Sequence, residues 1–385
     1  MEINDSIKYI GVKDKNIDLF ESQYPVPTGI SYNSYVIFDE KNVIMDTVDK
    51  RATNDWIENL EKALNKKVPD YLVVSHLEPD HSANIKLVAE KYPNMKIVLS
   101  NRAASMLPQF FDIDLSDRYV VVNENDELDI GKHKLKFYMA PMVHWPEVML
   151  TYEETEKILF AADAFGKFGS VDLKEENWIK EARRYYFNIC GKYGAQVQAV
   201  LKKLEGLDVN IICPLHGPVL KENLGYYINK YDIWSKYEPE EKGILVAYNS
   251  IHGNTKIAIQ KLVEILKSQI DESIVVCDLA REDMSRVVEY AFMYDKMIIA
   301  SPTYDAGLFP QTESFLRKLK HKNYQNRTVG IIENGSWAPM SGKLMKNLFE
   351  EMKNIKICEP IVTIKTTMNS DTEKKFEELA KSILN

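Results

Sequence analysis

The sequence predicts an α/β protein made of two domains, residues 1–238 and 239–385. Three observations predict this. The chain of 385 residues is longer than one hydrophobic core usually holds. Its first half contains short apolar runs that end at metal-binding residue types. Its second half alternates apolar strand-like runs with helical stretches, the pattern of a doubly wound parallel sheet. A charged stretch containing proline, at 235–242, separates the two halves.

The first candidate site follows Tyr71–Val74, an apolar run that we predict to be a buried strand. His76, Glu78, Asp80 and His81 come directly after it. Because side chains on a strand alternate in direction, these groups can converge only if the chain bends there, as a metal site requires. These residues on their own also leave a solvated loop as an alternative.

Three later apolar runs end in the same way, at His144, at Asp163 and at His216. Functional residues in sheet proteins tend to collect at strand ends, where a rigid scaffold holds them. The chain has seven histidines, and four of them lie in this pattern. That concentration favours a metal site over a chance set of polar residues.

The second candidate site begins after 243–248, an apolar branched run typical of a buried parallel strand. A helical stretch, Lys256–Lys267, follows shortly after. The loop between them consists of Ser250, Ile251, His252, Gly253, Asn254 and Thr255. A strand, a loop with hydroxyl groups and glycine, and a helix start together favour anion binding, because backbone N–H groups and the helix dipole point at the anion. The loop lacks the spacing of dinucleotide folds and of nucleotide triphosphatases. It resembles the phosphate loop of flavodoxins, with His252 at the position of the middle hydroxyl.

Two further loops follow the third and fourth strands of the predicted parallel sheet, where ligands of such sheets bind. Their candidate cofactor-binding residues are Pro302, Thr303, Tyr304 and Asp305 in one loop, and Gly335, Ser336, Trp337, Ala338, Pro339, Met340 and Ser341 in the other. An isoalloxazine ring needs flat apolar packing and hydrogen-bonding groups at its polar edge. Tyr304 and Trp337 alone are equally compatible with surface aromatics. Together with the phosphate loop they favour FMN.

The metal motif resembles that of the metallo-β-lactamase superfamily, His-x-His-x-Asp-His followed by a distant His, Asp and His, with Glu78 at the second His. The same departure is found in flavodiiron proteins, the flavin-dependent oxygen and nitric oxide reductases. The metal motif precedes the flavin motif, as in that family, and the resemblance covers nearly the whole chain. It implies a metallo-β-lactamase-like αββα sandwich followed by a flavodoxin-like doubly wound sheet.

The resemblance also implies roles for individual residues. His76, Glu78 and His144 would bind one iron, Asp80 and His216 the other, with Asp163 bridging the pair and His81 as a further candidate ligand. Iron in a two-metal oxygen-activating centre favours mixed imidazole and carboxylate ligands, whereas zinc hydrolases favour imidazole-rich sites. By the same resemblance, Tyr193 would donate a hydrogen bond to the substrate.

As an activity, the resemblance implies reduction of O2 to water or of NO to N2O. FMN would pass electrons to the irons from an external donor such as rubredoxin or its reductase. A head-to-tail homodimer, or a tetramer of two such dimers, would bring one subunit's flavin to the other's irons. Two alternatives stay open: a zinc hydrolase fused to a flavodoxin-like domain, and a flavin electron carrier or redox sensor. Glu78 counts against the hydrolase.

Composition limits the partners. The net charge of −8 argues against nucleic acid, which needs a basic face. We expect a cytoplasmic protein without a membrane partner, because the sequence has neither an eighteen-residue apolar run nor a hydrophobic signal core. The four cysteines are widely spaced and form no Cys-x-x-Cys pair. This spacing excludes a rubredoxin centre or clustered iron–sulfur site within these residues.

Overall fold

The computed structural model describes residues 3–170 and 177–385, which form two compact α/β units. The first unit comprises the described residues up to Tyr186 together with Ala195–Asp232. The second comprises Phe187–Gly194 and Ile233–Asn385. The predicted fold class is confirmed for both units, whereas the domain limits of 1–238 and 239–385 stay a prediction.

The strands of the first unit are, in chain order, β1 (Ile7–Tyr9), β2 (Val12–Asp14), β3 (Leu19–Phe20), β4 (Tyr24–Pro25), β5 (Ile30–Tyr32), β6 (Tyr35–Ile37), β7 (Val43–Met45), β8 (Tyr71–Val74), β9 (Lys96–Ser100), β10 (Tyr119–Val122), β11 (Glu127–Asp129), β12 (Lys134–Met139), β13 (Met149–Glu153), β14 (Ile158–Phe160) and β15 (Ile211–Cys213). The α-helices up to residue 235 are α1 (Thr53–Leu64), α2 (Pro79–Ser82), α3 (Ile85–Lys91), α4 (Asn101–Met106), α5 (Trp178–Ile189), α6 (Gly194–Leu204) and α7 (Leu224–Ser235). Short 3-10 helices lie at Lys50–Ala52, Leu107–Gln109, Ser116–Arg118 and Gly191–Tyr193.

Two sheets stack on each other in the first unit. One has the order β1-β6-β7-β8-β9-β10 and the other β11-β12-β13-β14-β15. Val73 and Val98 of the first sheet share a core with Phe137 and Phe160 of the second. Helix α1 buries a stripe with a spacing of four residues, Trp56, Leu60 and Leu64, as an amphipathic helix does. The result is the predicted sandwich of sheets with helices.

The direction of the strands determines at which edge of each sheet the polar residues lie. Strands β7, β8 and β9 are parallel neighbours, and so are β14 and β15. The carboxyl ends of parallel neighbours lie at one edge of a sheet. The polar residues after β8, β14 and β15 therefore leave their sheets at such edges.

The second unit is built around a parallel sheet. Its strands are β16 (Glu241–Tyr248), β17 (Ser273–Asp278), β18 (Tyr294–Tyr304), β19 (Gly307–Leu308), β20 (Arg327–Asn334), β21 (Ile355–Ile357) and β22 (Val362–Ile364). Its helices are α8 (Asn254–Lys267), α9 (Met284–Met293), α10 (Pro310–His321), α11 (Ser341–Glu350) and α12 (Ser370–Leu384). The parallel strands run in the order β17-β16-β18-β20, with β21 and β22 both paired to β20. Counted along the unit, this is the flavodoxin-like order 2-1-3-4-5, whose switch point lies between the first and third strands.

One strand of this unit is shorter than the apolar run that contains it. The run 360–364 forms a strand only at Val362–Ile364, and a separate short strand, Ile355–Ile357, pairs with an earlier part of β20. Pro360 lies between them and has no N–H to donate to a ladder, so it interrupts the pairing. Among the residues that the structure describes, none of the helices has the length and apolar character needed to cross a bilayer.

Candidate metal centre and flavin site

Four of the predicted ligands converge beside the carboxyl end of β8. His144 Nε2 lies 3.0 Å from Glu78 Oε2 and 3.2 Å from Asp163 Oδ2. His76 Nε2 lies 3.3 Å from Glu78 Oε2 and 3.6 Å from Asp163 Oδ2. Two imidazole nitrogens and two carboxylate oxygens thus face one point, as the ligands of a single metal ion do.

The remaining three predicted ligands form a second group. The Nε2 atoms of His81 and His216 lie 3.1 Å apart. Asp80 Oδ2 is 3.2 Å from His216 Nε2 and 3.3 Å from His81 Nε2. These atoms also lie within reach of one common cation. His81 is therefore part of the second group by its position.

Asp163 connects the two groups. Its Oδ2 faces His144 in the first group, whereas its Oδ1 lies 3.1 Å from His81 Nε2 in the second. Neither oxygen of Asp80 nor Oδ1 of Asp163 has a hydrogen-bond donor among the described residues, although all three atoms are buried. Leaving buried charged oxygens unsatisfied is costly, and a cation at each point would satisfy them. The residues therefore fit a pair of metal ions that share one carboxylate.

The second unit contains a cavity of about 420 Å³ at the carboxyl ends of its strands. Its size is in the range of small-molecule and cofactor sites. Twelve of the predicted flavin residues line it: Ser250, Ile251, His252, Asn254, Thr255, Pro302, Thr303, Asp305, Gly335, Ser336, Trp337 and Ala338. The sequence prediction missed three lining residues, Ala306, Asn334 and Thr366.

Five predicted flavin residues do not line this cavity: Gly253, Tyr304, Pro339, Met340 and Ser341. Gly253 instead gives the loop its left-handed turn, at φ +93°, immediately before α8. Tyr304 packs edge-on against Phe309, with ring centroids 5.6 Å apart. Ser341 is buried at the start of α11, and its hydroxyl donates to the carbonyl of Ser301. Gly253, Tyr304 and Ser341 thus support the loops around the cavity.

Comparison with known proteins places these two sites together in one family. Residues 30–217 match the family model described as ODP family beta lactamase. The chain is 29% identical to the flavo-diiron protein FprA2 of Clostridium acetobutylicum, with 100% of this chain and 99% of the relative covered. The chain belongs to the flavodiiron protein family.

Two other flavodiiron relatives extend the comparison. The anaerobic nitric oxide reductase flavorubredoxin of Vibrio vulnificus is 27% identical over 88% of this chain and 70% of its own length. The fold matches rubredoxin oxygen:oxidoreductase from the anaerobe Desulfovibrio gigas, with a TM-score of 0.93, 24% identity, and coverage of 100% of this chain and 97% of that one. Flavodiiron relatives carry FMN and a non-haem diiron centre.

Two residues that the sequence prediction missed orient ligands of the flavodiiron centre. His76 Nδ1 lies 2.8 Å from Glu147 Oε1, and His216 Nδ1 donates to the carbonyl of Ser31 at 2.7 Å. A bond at Nδ1 fixes the ring so that Nε2 faces the metal position. The only sequence signal for Glu147 was an acidic residue three positions after His144.

In the absence of metal, the charges in the cluster depend on one another. Burial lowers the pKa of His144, but its hydrogen bonds with Asp163 and Glu78 raise it more, so that the pKa rises to about 9. Burial raises the pKa of Glu78, but its hydrogen bonds with His144 and His76 reverse this and hold the pKa far below its usual range. Metal binding must therefore displace protons from the imidazoles.

Left-handed backbone conformations adjoin the metal ligands. Met142 has φ +66° two residues before His144, and Ala162 has φ +48° directly before Asp163. Such conformations are unfavourable for residues with a side chain and persist where surrounding structure imposes them. They turn the chain sharply after each apolar run, which brings the ligand back toward the centre.

The hairpin of β3 and β4 brings another acidic residue to the centre. The ring of Phe20 packs edge-on against His216, with centroids 5.4 Å apart, and Glu21 follows at the hairpin tip. Glu21 is exposed as a residue, yet enclosure of its carboxyl group, and then the charge of Glu78, raise its pKa to about 7. The sequence prediction did not include Glu21, because its connection to the centre arises only from the tertiary fold.

Asn334, another residue missed by the sequence prediction, ties the walls of the cavity together. Its Nδ2 donates to Thr255 Oγ1 at 3.2 Å and to the carbonyl of Thr366 at 3.0 Å, and its Oδ1 accepts from the N–H of Thr366. Ser336 and Thr366 also share a hydroxyl hydrogen bond. The start of α8 and the loop after β22 are thus both held by the side chain of Asn334, the last residue of β20.

Tyr193, the predicted catalytic residue, is the last residue of the 3-10 helix Gly191–Tyr193 and belongs to the second unit. Its side chain is half-buried, and Lys192 Nζ lies 5.7 Å from the centre of its ring. The seven predicted metal ligands belong to the first unit. The catalytic role of Tyr193 stays a prediction.

Proposed function

We propose that this flavodiiron oxidoreductase reduces O2 to water or NO to N2O at two irons held by His76, Glu78, Asp80, His81, His144, Asp163 and His216. Bound FMN and iron together supply the electron relay for that reduction. The observation that carries the proposal is the position of Asp163, with one carboxylate oxygen directed at each ligand group. Metal pairs that share a carboxylate are suited to holding a small diatomic substrate between them.

The protein's own residues have three roles in this scheme. Glu78 and Asp163 place anionic charge beside His144, which favours the higher oxidation states of iron over zinc hydrolase chemistry. The ring of Phe20 next to His216 limits access of water to the second group. Tyr193 is proposed to donate a hydrogen bond to the substrate.

The decisive experiment compares the two substrates in the same preparation. Protein loaded with iron and FMN is reduced without oxygen, and O2 consumption and N2O formation are then measured separately. The proposal expects at least one of these activities, and Asp163→Ala is the matched inactive control. About two irons and one FMN per chain are expected. Zinc without iron would contradict the proposal in favour of a hydrolase, and flavin without metal would favour an electron carrier.

The proposed assembly is a head-to-tail homodimer, or a tetramer of two such dimers, in which the flavin of one subunit serves the irons of another. The support is the presence of both sites in one flavodiiron chain. Scattering and turnover measured on the same sample test it, since an active monomer would reject it.

Replacement of Tyr193 by Phe tests the substrate contact, which is rejected if turnover and the ratio of NO to O2 activity do not change.

Rubredoxin or its reductase is the proposed electron donor, and the cytoplasm is the proposed location. The location is supported by the cysteines, since none of the four is in a disulfide. The donor is tested by the rate at which reduced rubredoxin bleaches the bound flavin. A rate no faster than that of a small-molecule reductant would reject rubredoxin.

A further inference from the structure

We propose that Glu147 is a positioning residue that makes the two iron positions unequal, by orienting His76 and strengthening its donation to the iron held by His76, Glu78 and His144. The inference rests on the proposed function, because it concerns the iron pair of that centre. Glu147 has no place among the ligands, and it acts through an imidazole ring.

The geometry around Glu147 leaves little freedom. Its Oε1 lies 2.8 Å from His76 Nδ1 and accepts the N–H of Leu77 at 2.9 Å. The side chain is fully buried, and its Oε2 has no hydrogen-bond donor among the described residues. The carboxylate is therefore held by two consecutive residues of the ligand loop.

The backbone of Glu147 is fixed as well. Its carbonyl accepts the hydroxyl of Ser100 at 2.8 Å, at the end of β9. Two residues later, the N–H of Met149 donates to the carbonyl of Ser75 at 3.1 Å. The segment 147–149 thus runs hydrogen-bonded beside 75–77, and these bonds hold the carboxylate in place relative to His76.

The second ligand group has a different arrangement at the corresponding atom. His216 Nδ1 donates to the backbone carbonyl of Ser31, a neutral acceptor. Hydrogen bonds to a carboxylate are stronger than those to a neutral group, and a carboxylate behind an imidazole raises the basicity of the ring. The iron bound by His76 is therefore expected to have the lower reduction potential of the two.

The test compares Glu147→Gln and Glu147→Ala with a matched control, Glu153→Gln. Glu153 is also fully buried, at the far end of β13, where its carboxylate accepts the N–H groups of Thr155 and Glu156. It contacts no predicted ligand in the hydrogen bonds of the described residues. Loss of a buried carboxylate is thus common to both positions, whereas contact with His76 is particular to Glu147.

Two measurements separate positioning from folding. In the metal-free protein, Co²⁺ is titrated and followed by its visible bands, and Glu147→Ala is expected to bind the ion at the His76 position about 10- to 100-fold more weakly. In the iron-loaded protein, a redox titration followed by electron paramagnetic resonance gives the two potentials. Glu147→Gln is expected to retain two irons and to raise the lower potential. Glu153→Gln is expected to leave the Co²⁺ affinity and both potentials unchanged.

Unchanged Co²⁺ affinity in Glu147→Ala, together with unchanged potentials in Glu147→Gln, would overturn the inference. An equal change in Glu153→Gln would also overturn it, since the effect would then come from general loss of folding. Glu147→Asp is expected to lie between wild type and Glu147→Ala. Neither measurement depends on turnover, so a preparation that reduces neither O2 nor NO would reject the proposed function and leave these readouts in place.

Discussion

The metal cluster and the flavin cavity are built in contrasting ways. The metal cluster consists of side chains, six of them buried, and the ligand atoms of each group already lie within 4.8 Å of one another. The flavin cavity is formed by loops whose largest aromatic, Trp337, is 93% exposed. We infer from this contrast that the metal cluster is shaped before its ions bind, whereas the flavin cavity is completed by its ligand.

The largest expected effect is on the prebuilt site. Replacing Asp163 by Ala removes the only carboxylate that faces both ligand groups among the described residues. We expect both metal positions to be lost together, with Co²⁺ binding weakened roughly 100-fold or more, beyond the loss typical of a supporting residue. Metal analysis and Co²⁺ titration measure this. Retention of one tightly bound metal per chain would contradict it, and unchanged FMN content serves as the control.

A smaller effect is expected where a side chain organises the flavin loops. Asn334→Ala removes three hydrogen bonds that join Thr255 and Thr366, each worth about 1 kcal/mol. Part of this loss of free energy destabilises the flavin-free protein as well and does not affect FMN binding. We therefore expect FMN affinity to fall about 10-fold. Quenching of FMN fluorescence on titration measures it. Iron content should not change, and a wild-type FMN affinity would show that the loops are held by other contacts.

Trp337→Ala tests whether the ligand completes the cavity. Because the side chain is almost wholly exposed, its removal should leave the thermal stability of the flavin-free protein unchanged. An aromatic stacking contact contributes about 0.5–1.5 kcal/mol, so FMN binding should weaken by roughly 2- to 10-fold. Tyr304→Ala is the matched comparison, since Tyr304 packs on Phe309 outside the cavity lining. A larger loss of FMN affinity in Tyr304→Ala would reverse this interpretation.

The smallest effect concerns pH and the metal-free cluster. The pKa of Glu21 is about 7 in the folded protein, against an ordinary value of 4.5. The folded state therefore binds this proton more tightly, and the resulting stability is complete below the ordinary value and is lost as pH rises through about 7. Glu21→Gln removes this dependence. Its melting temperature relative to wild type should rise between about pH 5 and pH 8, and a constant difference across that range would contradict this role of Glu21.

All seven predicted metal ligands were brought together by the fold. They lie in the loops and the short helix that follow β8, β12, β14 and β15, so a local pattern of apolar run and polar residue was enough to select them. Glu147 and Ser31 act through the far nitrogen of a histidine, and each is distant in sequence from the ring it contacts. Such a contact cannot be predicted from a local sequence pattern, because it depends on how distant segments pack together in the fold.

The flavin residues were predicted less completely for a related reason. The loops lie at the carboxyl ends of the strands, as the order of strands and helices predicted, but a loop exposes only some of its residues to the cavity. Ser341 is buried at the start of α11 and does not line the cavity. Thr366 does line it, but it lies in the loop after β22, where the sequence showed no motif. Pro360 likewise lies outside the strand that its apolar run forms, since it has no N–H to donate to the ladder.

The shared carboxylate of Asp163 has a consequence for how the centre fills. A first cation would hold one oxygen of that side chain and leave the other aimed at the neighbouring position. The change of the carboxylate from its contacts with His144 and His81 to metal binding is then incurred once for two ions, so the second ion should enter a partner already arranged for it. Molecules with a single metal ion should accordingly be scarce at any metal concentration. The centre should change from no metal to two metal ions over a narrow range of metal concentration.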